Sequence, residues 1–147
     1  MPLLKLMAMD SDDLEILSAH LQDALVKVSN IDWQENEKRF IGLFNRFVWE
    51  KQKKGGLFSR PKAPERRHCA LHFDRVLKMS TRGIDREKPD NILSLLTIQF
   101  QMTQAPAGIV TLIFSGEAAI RLEVEYIEAQ LSDLSASWAA HSHPKHQ

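Results

Sequence analysis

The chain opens with a short apolar run, LLKLMAM (3–9), and then takes up helical spacing. Asp10, Ser11 and Asp12 are all capping residues, and Asp12 with Glu15 matches the D-x-x-E form of a capping box. Behind them Leu14, Leu17, Leu21 and Leu25 fall on one face, which predicts an amphipathic helix after an initial strand. From Val26 the period drops to two. VKVSNIDWQENEKRFIGLFNRFVWE reads as two strands joined at 34–38, with Ile41, Leu43, Phe47 and Trp49 sharing a face that also carries Asn45. HCALHFDRVLKMS alternates with Cys69, Leu71 and Phe73 on one side; Arg75 interrupts that face and implies a bulge, an edge or a paired charge. ILSLLTIQFQM is apolar on both parities in its first half, as expected of a central strand covered on two sides. IVTLIF follows, and Ser115-Gly116 marks a hairpin turn. Then Ile120, Leu122 and Val124 point one way while Arg121, Glu123 and Glu125 point the other. Ile127, Leu131, Leu134 and Trp138 return to helical spacing and predict a closing helix.

Short turns between consecutive strands imply antiparallel neighbours. A one-sided sheet must cover its apolar face, and two striped helices are available to do so. The expected fold is therefore α+β: a curved antiparallel sheet or half-open roll of about six to seven strands. An N-terminal helix and a C-terminal helix close the core, in an element order like that of pleckstrin-homology domains. That analogy carries no function. Residues 1–138 read as a single globular domain, 51–67 as a long basic loop within it, and 139–147 as a disordered tail.

Composition narrows the functions. Nineteen basic residues offset nineteen acidic ones, so net charge exerts no long-range pull on nucleic acid or anionic lipid. One cysteine, Cys69, allows no internal disulfide and no cysteine-based zinc site. The N-terminus lacks the form of a secretory signal, and no apolar run approaches the roughly 20 residues that span a bilayer. A cytoplasmic location with no transmembrane segment is expected. His68 and His72, four apart on a strand, lie about 13 Å apart along it and cannot share a metal ion. Cys69 sits on the apolar parity and reads as a buried thiol. No nucleophile elbow, phosphate loop, dinucleotide fingerprint or metalloprotease helix is present. No catalytic residue, metal or cofactor is assigned.

Two patches remain. The segment 51–67 holds seven Lys or Arg against a single acid, with Leu57 and Phe58 at its centre. Lys53, Lys54, Arg60 and Arg66 are its candidate contacts to phosphate. The second patch is FDRVLKMSTRGIDR, where Arg75, Arg82 and Arg86 stand as an arginine cluster able to grip a carboxylate or phosphate bidentately. The leading expectation is a non-enzymatic binding or adaptor domain that meets a protein or phosphate-bearing partner through one of these patches; an exposed edge strand could also recruit a peptide or a second copy of the chain. An alternative is a small enzyme with Arg75, Arg82 and a carboxylate such as Asp85 or Glu123 in a cleft. Nucleic-acid binding through the basic loop is a further, less favoured alternative.

The segments SAHLQDA, RFVWE, LHFDRV, RGIDR, LSLLTIQF and AIRLEVEYIEAQLSDL, in this order, resemble a family of small alphaproteobacterial proteins, domain-of-unknown-function family 2948. The resemblance runs from about Leu4 to Trp138. It implies a bacterial, cytoplasmic, single-domain protein and carries no reaction, ligand or site residues.

Overall fold

The computed structural model describes residues 3–48 and 65–134. The elements in chain order are β1 (Lys5–Ala8), α1 (Ser11–His20), β2 (Leu25–Gln34), a single 3-10 turn (Glu35–Glu37), β3 (Arg39–Val48), β4 (Glu65–Phe73), β5 (Val76–Arg82), β6 (Ile92–Met102), β7 (Gly108–Phe114), β8 (Ala118–Val124) and β9 (Ala129–Asp133). All nine strands form one antiparallel sheet in the order β1-β9-β4-β3-β2-β6-β7-β8-β5. The sheet curls until its β5 end returns toward β2: Val76 N–H donates to Lys38 O at 2.9 Å, just past β2.

The class is thus nearly all-β, and the expected α+β fold is corrected. The only α-helix among the described residues is α1. Its N-cap is Asp10, whose carboxylate accepts from Asp13 N–H at 2.8 Å, while Asp13 reaches back to Met9 N–H at 3.3 Å. The reciprocal box therefore sits two residues earlier than Asp12 and Glu15. Leu14, Leu17 and Leu21 are buried as the stripe predicts and plug the inside of the curl.

The expected closing helix is replaced, across its first half, by β9. Ile127 and Leu131 are indeed buried, but so are Ala129 and Asp133, which gives β9 a period of two. β9 lies between β4 and β1, with Leu131 opposite both Leu71 and Leu6. Pairing with two open strand edges outweighs a four-residue helical stripe, because it satisfies main-chain groups on both sides at once. The pleckstrin-homology analogy rested on that helix and is not supported. Trp138, the tail 139–147 and most of the 51–67 loop lie outside the described residues; 65–67 open β4. The strand count rises to nine because β9 is added and because 68–82 is two strands rather than one. Arg75 divides them, in the left-handed region at φ 61.

The core is a continuous layer built on Phe40, Phe44, Phe73 and Phe114, with Leu71, Leu95, Leu112, Ile120 and Leu122, all less than 2 % exposed. Full burial of one such side chain stabilises by about 1.5–3 kcal/mol. On β3 the inward parity is Phe40, Gly42, Phe44 and Arg46. The half-buried outer face is Ile41, Leu43, Asn45 and Phe47, the reverse of the expected assignment. β6 is central in strand order as expected, but it is not covered on both faces, since Ile92 and Leu96 are about half exposed.

Candidate binding groove

Between β2 and β5 the curled sheet leaves a groove of about 260 Å³. Its origin is an irregularity in β2. From Val26 to Ile31 the strand advances five residues while its partner β3 advances two, Phe44 to Gly42. The surplus backbone lifts away from β3 and is caught on its other side: Val28 N–H donates to Asn91 O at 2.9 Å and Ser29 N–H to Pro89 O at 3.0 Å. The 85–91 turn that supplies these acceptors is fixed internally. Asp85 accepts from Glu87 N–H through its carboxylate at 2.9 Å and from Lys88 N–H through its carbonyl at 3.1 Å. These bonds close one end of the groove, and the Val76–Lys38 bond ties β5 to the chain just past β2 toward the other.

The floor is Ile120 and Val28, both buried. Ile31 and Trp33 from β2, Met79 from β5 and Ile84 form half-buried apolar walls. Arg86 and Asp32 stand at the exposed rim. Asp32 already accepts a hydrogen bond from Gln34 Nε2 at 3.0 Å. Arg86 makes no ion pair among the described residues. Gly83, at φ +71, makes the bend that carries the chain from β5 to Ile84 and Arg86. A side chain there would meet Glu117 O at 2.8 Å.

Of the residues singled out in the sequence, only Arg86 lines this groove. Arg82 is exposed and lies opposite Ala119 at the end of β5. Arg75 sits at the start of β5, a whole strand away, with Nε 3.5 Å from Glu128 and its guanidinium over the Tyr126 ring. The three arginines therefore do not form one cluster. Arg75 is instead part of a band of pairs around the β4–β5 turn, with Lys38–Glu125 at 3.3 Å and Arg39–Asp74 at 2.7 Å. Arg66 lies over the Phe47 ring, 4.6 Å from its centre. Lys53, Lys54 and Arg60 lie outside the described residues. Asp85 is engaged in its own turn, and Glu123 projects from the outer face of β8, so neither joins an arginine in a cleft. Among the described residues no three His, Cys, Asp or Glu side chains gather to hold a metal ion.

Sequence reasoning missed a second polar feature, at the far end of the core. Arg46 points inward from β3 and grips Asp133 of β9 through two bonds, Nε to Oδ1 and a terminal nitrogen to Oδ2, each 2.8 Å. Asp133 Oδ2 also accepts from Leu4 N–H at 2.9 Å, and Leu4 O accepts from Asp133 N–H at 2.8 Å. The hydrogen bond to Asp133 raises the Arg46 pKa above its ordinary value despite burial. Burial by itself would raise the Asp133 carboxyl. The hydrogen bonds from Arg46 and Leu4, with the charge of Arg46, overcome it and hold the carboxyl below its usual range. Cys69 lies directly opposite Asp133 in the β4–β9 register, and burial pushes its thiol up to about 12. It is not a nucleophile at neutral pH. His20, half-buried at the end of α1, is lowered by burial and by the charge of Arg46.

Fold and site together define an antiparallel β-roll, plugged by one helix and grooved on the seam where its sheet fails to close. The chain belongs to the family described as Protein of unknown function (DUF2948), whose model matches residues 4–146. No curated protein and no solved structure matches it. Among the described residues no helix is long and apolar enough to cross a membrane.

Proposed function

We propose that the protein is a non-enzymatic binding domain that meets a protein partner at the groove, with Arg86 of the 85–91 turn as the cationic contact for an acidic group of that partner. The observation that carries this reading is an arginine with no ion pair among the described residues, at the rim of a slot whose floor and walls are apolar and whose one acid, Asp32, is held by Gln34. An apolar cavity with a few oriented polar groups is the usual form of a ligand site. A guanidinium matches a carboxylate bidentately. A phosphate is less well served, because Arg86 is the single cation on the groove lining.

The test uses 8-anilinonaphthalene-1-sulfonate, which joins an apolar body to an anionic group. Its fluorescence is expected to rise saturably with the protein, and Arg86→Glu to weaken the interaction about tenfold, the scale of one charge-assisted contact. Arg121→Glu, on the outer face of β8, serves as the control and leaves binding unchanged. Equal loss in both variants, or none in either, refutes the groove.

A further inference from the structure

We infer that the groove's occupant is an extended, acid-bearing peptide that adds as an antiparallel strand to the open edge of β5. This rests on the groove reading above and goes beyond it in naming the ligand and its direction.

β5 ends the strand order, and its registered partners among the described residues are all in β8. Its other edge is the one that turns toward β2, since Val76 N–H on that side reaches Lys38 O. From Met79 to Arg82 the β5–β8 register is regular, so the open edge there is a straight run of main-chain donors and acceptors beside the slot. The opposite end of the sheet, β1, is only four residues long. Neither proline nor a bulge blunts the stretch from Met79 to Arg82.

These unpaired groups decide between kinds of ligand. While wet they cost nothing, but a ligand that fills the slot also covers the edge, and a covered N–H or C=O without a partner is costly. A small apolar acid can satisfy Arg86 and the walls but not the strand edge. A peptide satisfies all three, the edge through its backbone and the other two through its side chains. Side-chain alternation then places one apolar residue over Ile120, between Trp33 and Met79, with its neighbours directed outward.

The added strand follows the antiparallel pairing found throughout the sheet, and Arg86 then fixes the order of its acid and its anchor. Arg86 follows β5 in sequence, beyond the bend at Gly83, so it lies past the Arg82 end of the edge. A peptide running antiparallel to β5 enters at that end. Its acidic residue therefore comes before its apolar anchor, by about two to four positions at strand spacing.

The experiment is selection from a displayed library of randomised octapeptides against the full chain and against Arg86→Glu. The best peptide is then resynthesised with single N-methyl amides, and 3-phenylpropionate is titrated as the small-acid comparison. The expected result is enrichment of sequences with an acid ahead of a large apolar residue, and loss of that acid in selections on Arg86→Glu. N-methylation at amides of one parity should weaken binding at least tenfold, while the other parity is tolerated, because alternate amides face the strand edge. Tolerance at both parities, or an acid placed after the anchor, overturns the strand-addition inference. If no peptide is enriched but 3-phenylpropionate binds and is lost in Arg86→Glu, the peptide inference falls and the groove reading stands. If neither binds, both fall.

Discussion

Removing Asp133 leaves Arg46 charged, inward-facing and 7 % exposed at its side chain, with both of its short bonds gone. Breaking a buried pair from one side costs about 3–5 kcal/mol, because the surviving charge has neither water nor a partner. Asp133→Ala also orphans Leu4 N–H, which adds a further loss of about 1–3 kcal/mol where that amide stays covered. Stability of a domain of this size is commonly about 5–15 kcal/mol, so Asp133→Ala is expected to bring the fold near its limit. Arg46→Met with Asp133→Leu, by contrast, removes both charges and leaves only Leu4 N–H unmet. The double variant should lose no more than about 1–3 kcal/mol, less than Asp133→Ala alone. Urea unfolding followed by circular dichroism measures each variant. With a slope of about 1–3 kcal/mol per molar, Asp133→Ala should move the midpoint down by roughly a molar or more. The pH dependence has a definite sign. The folded carboxyl is held below its unfolded value, so its contribution is fully present above the ordinary carboxylate range and is lost as pH falls through the folded pKa. The gap between wild type and Asp133→Asn should therefore close in acid. A loss below about 1 kcal/mol in Asp133→Ala, or a double variant no more stable than the single one, refutes the argument that an uncompensated charge sets the cost.

Two further outcomes test the same frame. His20 has a folded pKa lowered by burial and by Arg46, so its contribution is present above about pH 6.5 and is lost as pH falls through the folded value; thermal melts should show a decline there that His20→Gln flattens. Gly83→Ala imposes a side chain at φ +71 and against Glu117 O; it should destabilise by about 1–3 kcal/mol and weaken anilinonaphthalene-sulfonate binding, as read by melting and by titration, whereas Gly116→Ala, with open space around it, should bear the φ cost alone.

The antiparallel sheet was legible because most of its strands carry alternation on one face. β8 is the clearest case: Ile120, Leu122 and Val124 are buried while Arg121 and Glu123 are exposed. Where two parities are both apolar, periodicity does not identify the inner one. On β3 the larger run Ile41, Leu43 and Phe47 reads as the core face, yet Phe40 and Phe44 hold it. Inward-facing Gly42 is covered by the Phe44 ring, which would lie 2.8 Å from an added side-chain carbon. Small residues filled in by a neighbouring ring leave no apolar mark of their own. β9 reads as a helix for a related reason. Ile127, Leu131 and Leu134 fit a helix, and Asp133 does not look like a core residue until Arg46 is known to meet it. Arg46 in turn lay on the parity taken as outward, so each half of the pair concealed the other.

The groove was less legible still, because it is made by a mismatch between strands rather than by a motif. Nothing in VSNIDW announces that β2 takes five steps to the two of β3. The polar Ser29 and Asn30 are the only local sign, and they read equally well as an ordinary strand's wet face. Arg86 is legible for a chemical reason, an arginine beside a turn, but proximity in sequence groups it with Arg75 and Arg82. Strand geometry separates them: residues two apart share a face, whereas the two ends of a seven-residue strand lie about 20 Å apart. What distinguishes Arg86 from Arg39, Arg46, Arg67 and Arg75 is the ion pair that each of those has formed. A pair already made is satisfied in the folded chain, and a ligand must break it before using it. Arg86 needs no such exchange and lines the groove, which favours the groove rim over the band of pairs around Arg75 for the proposed anion contact.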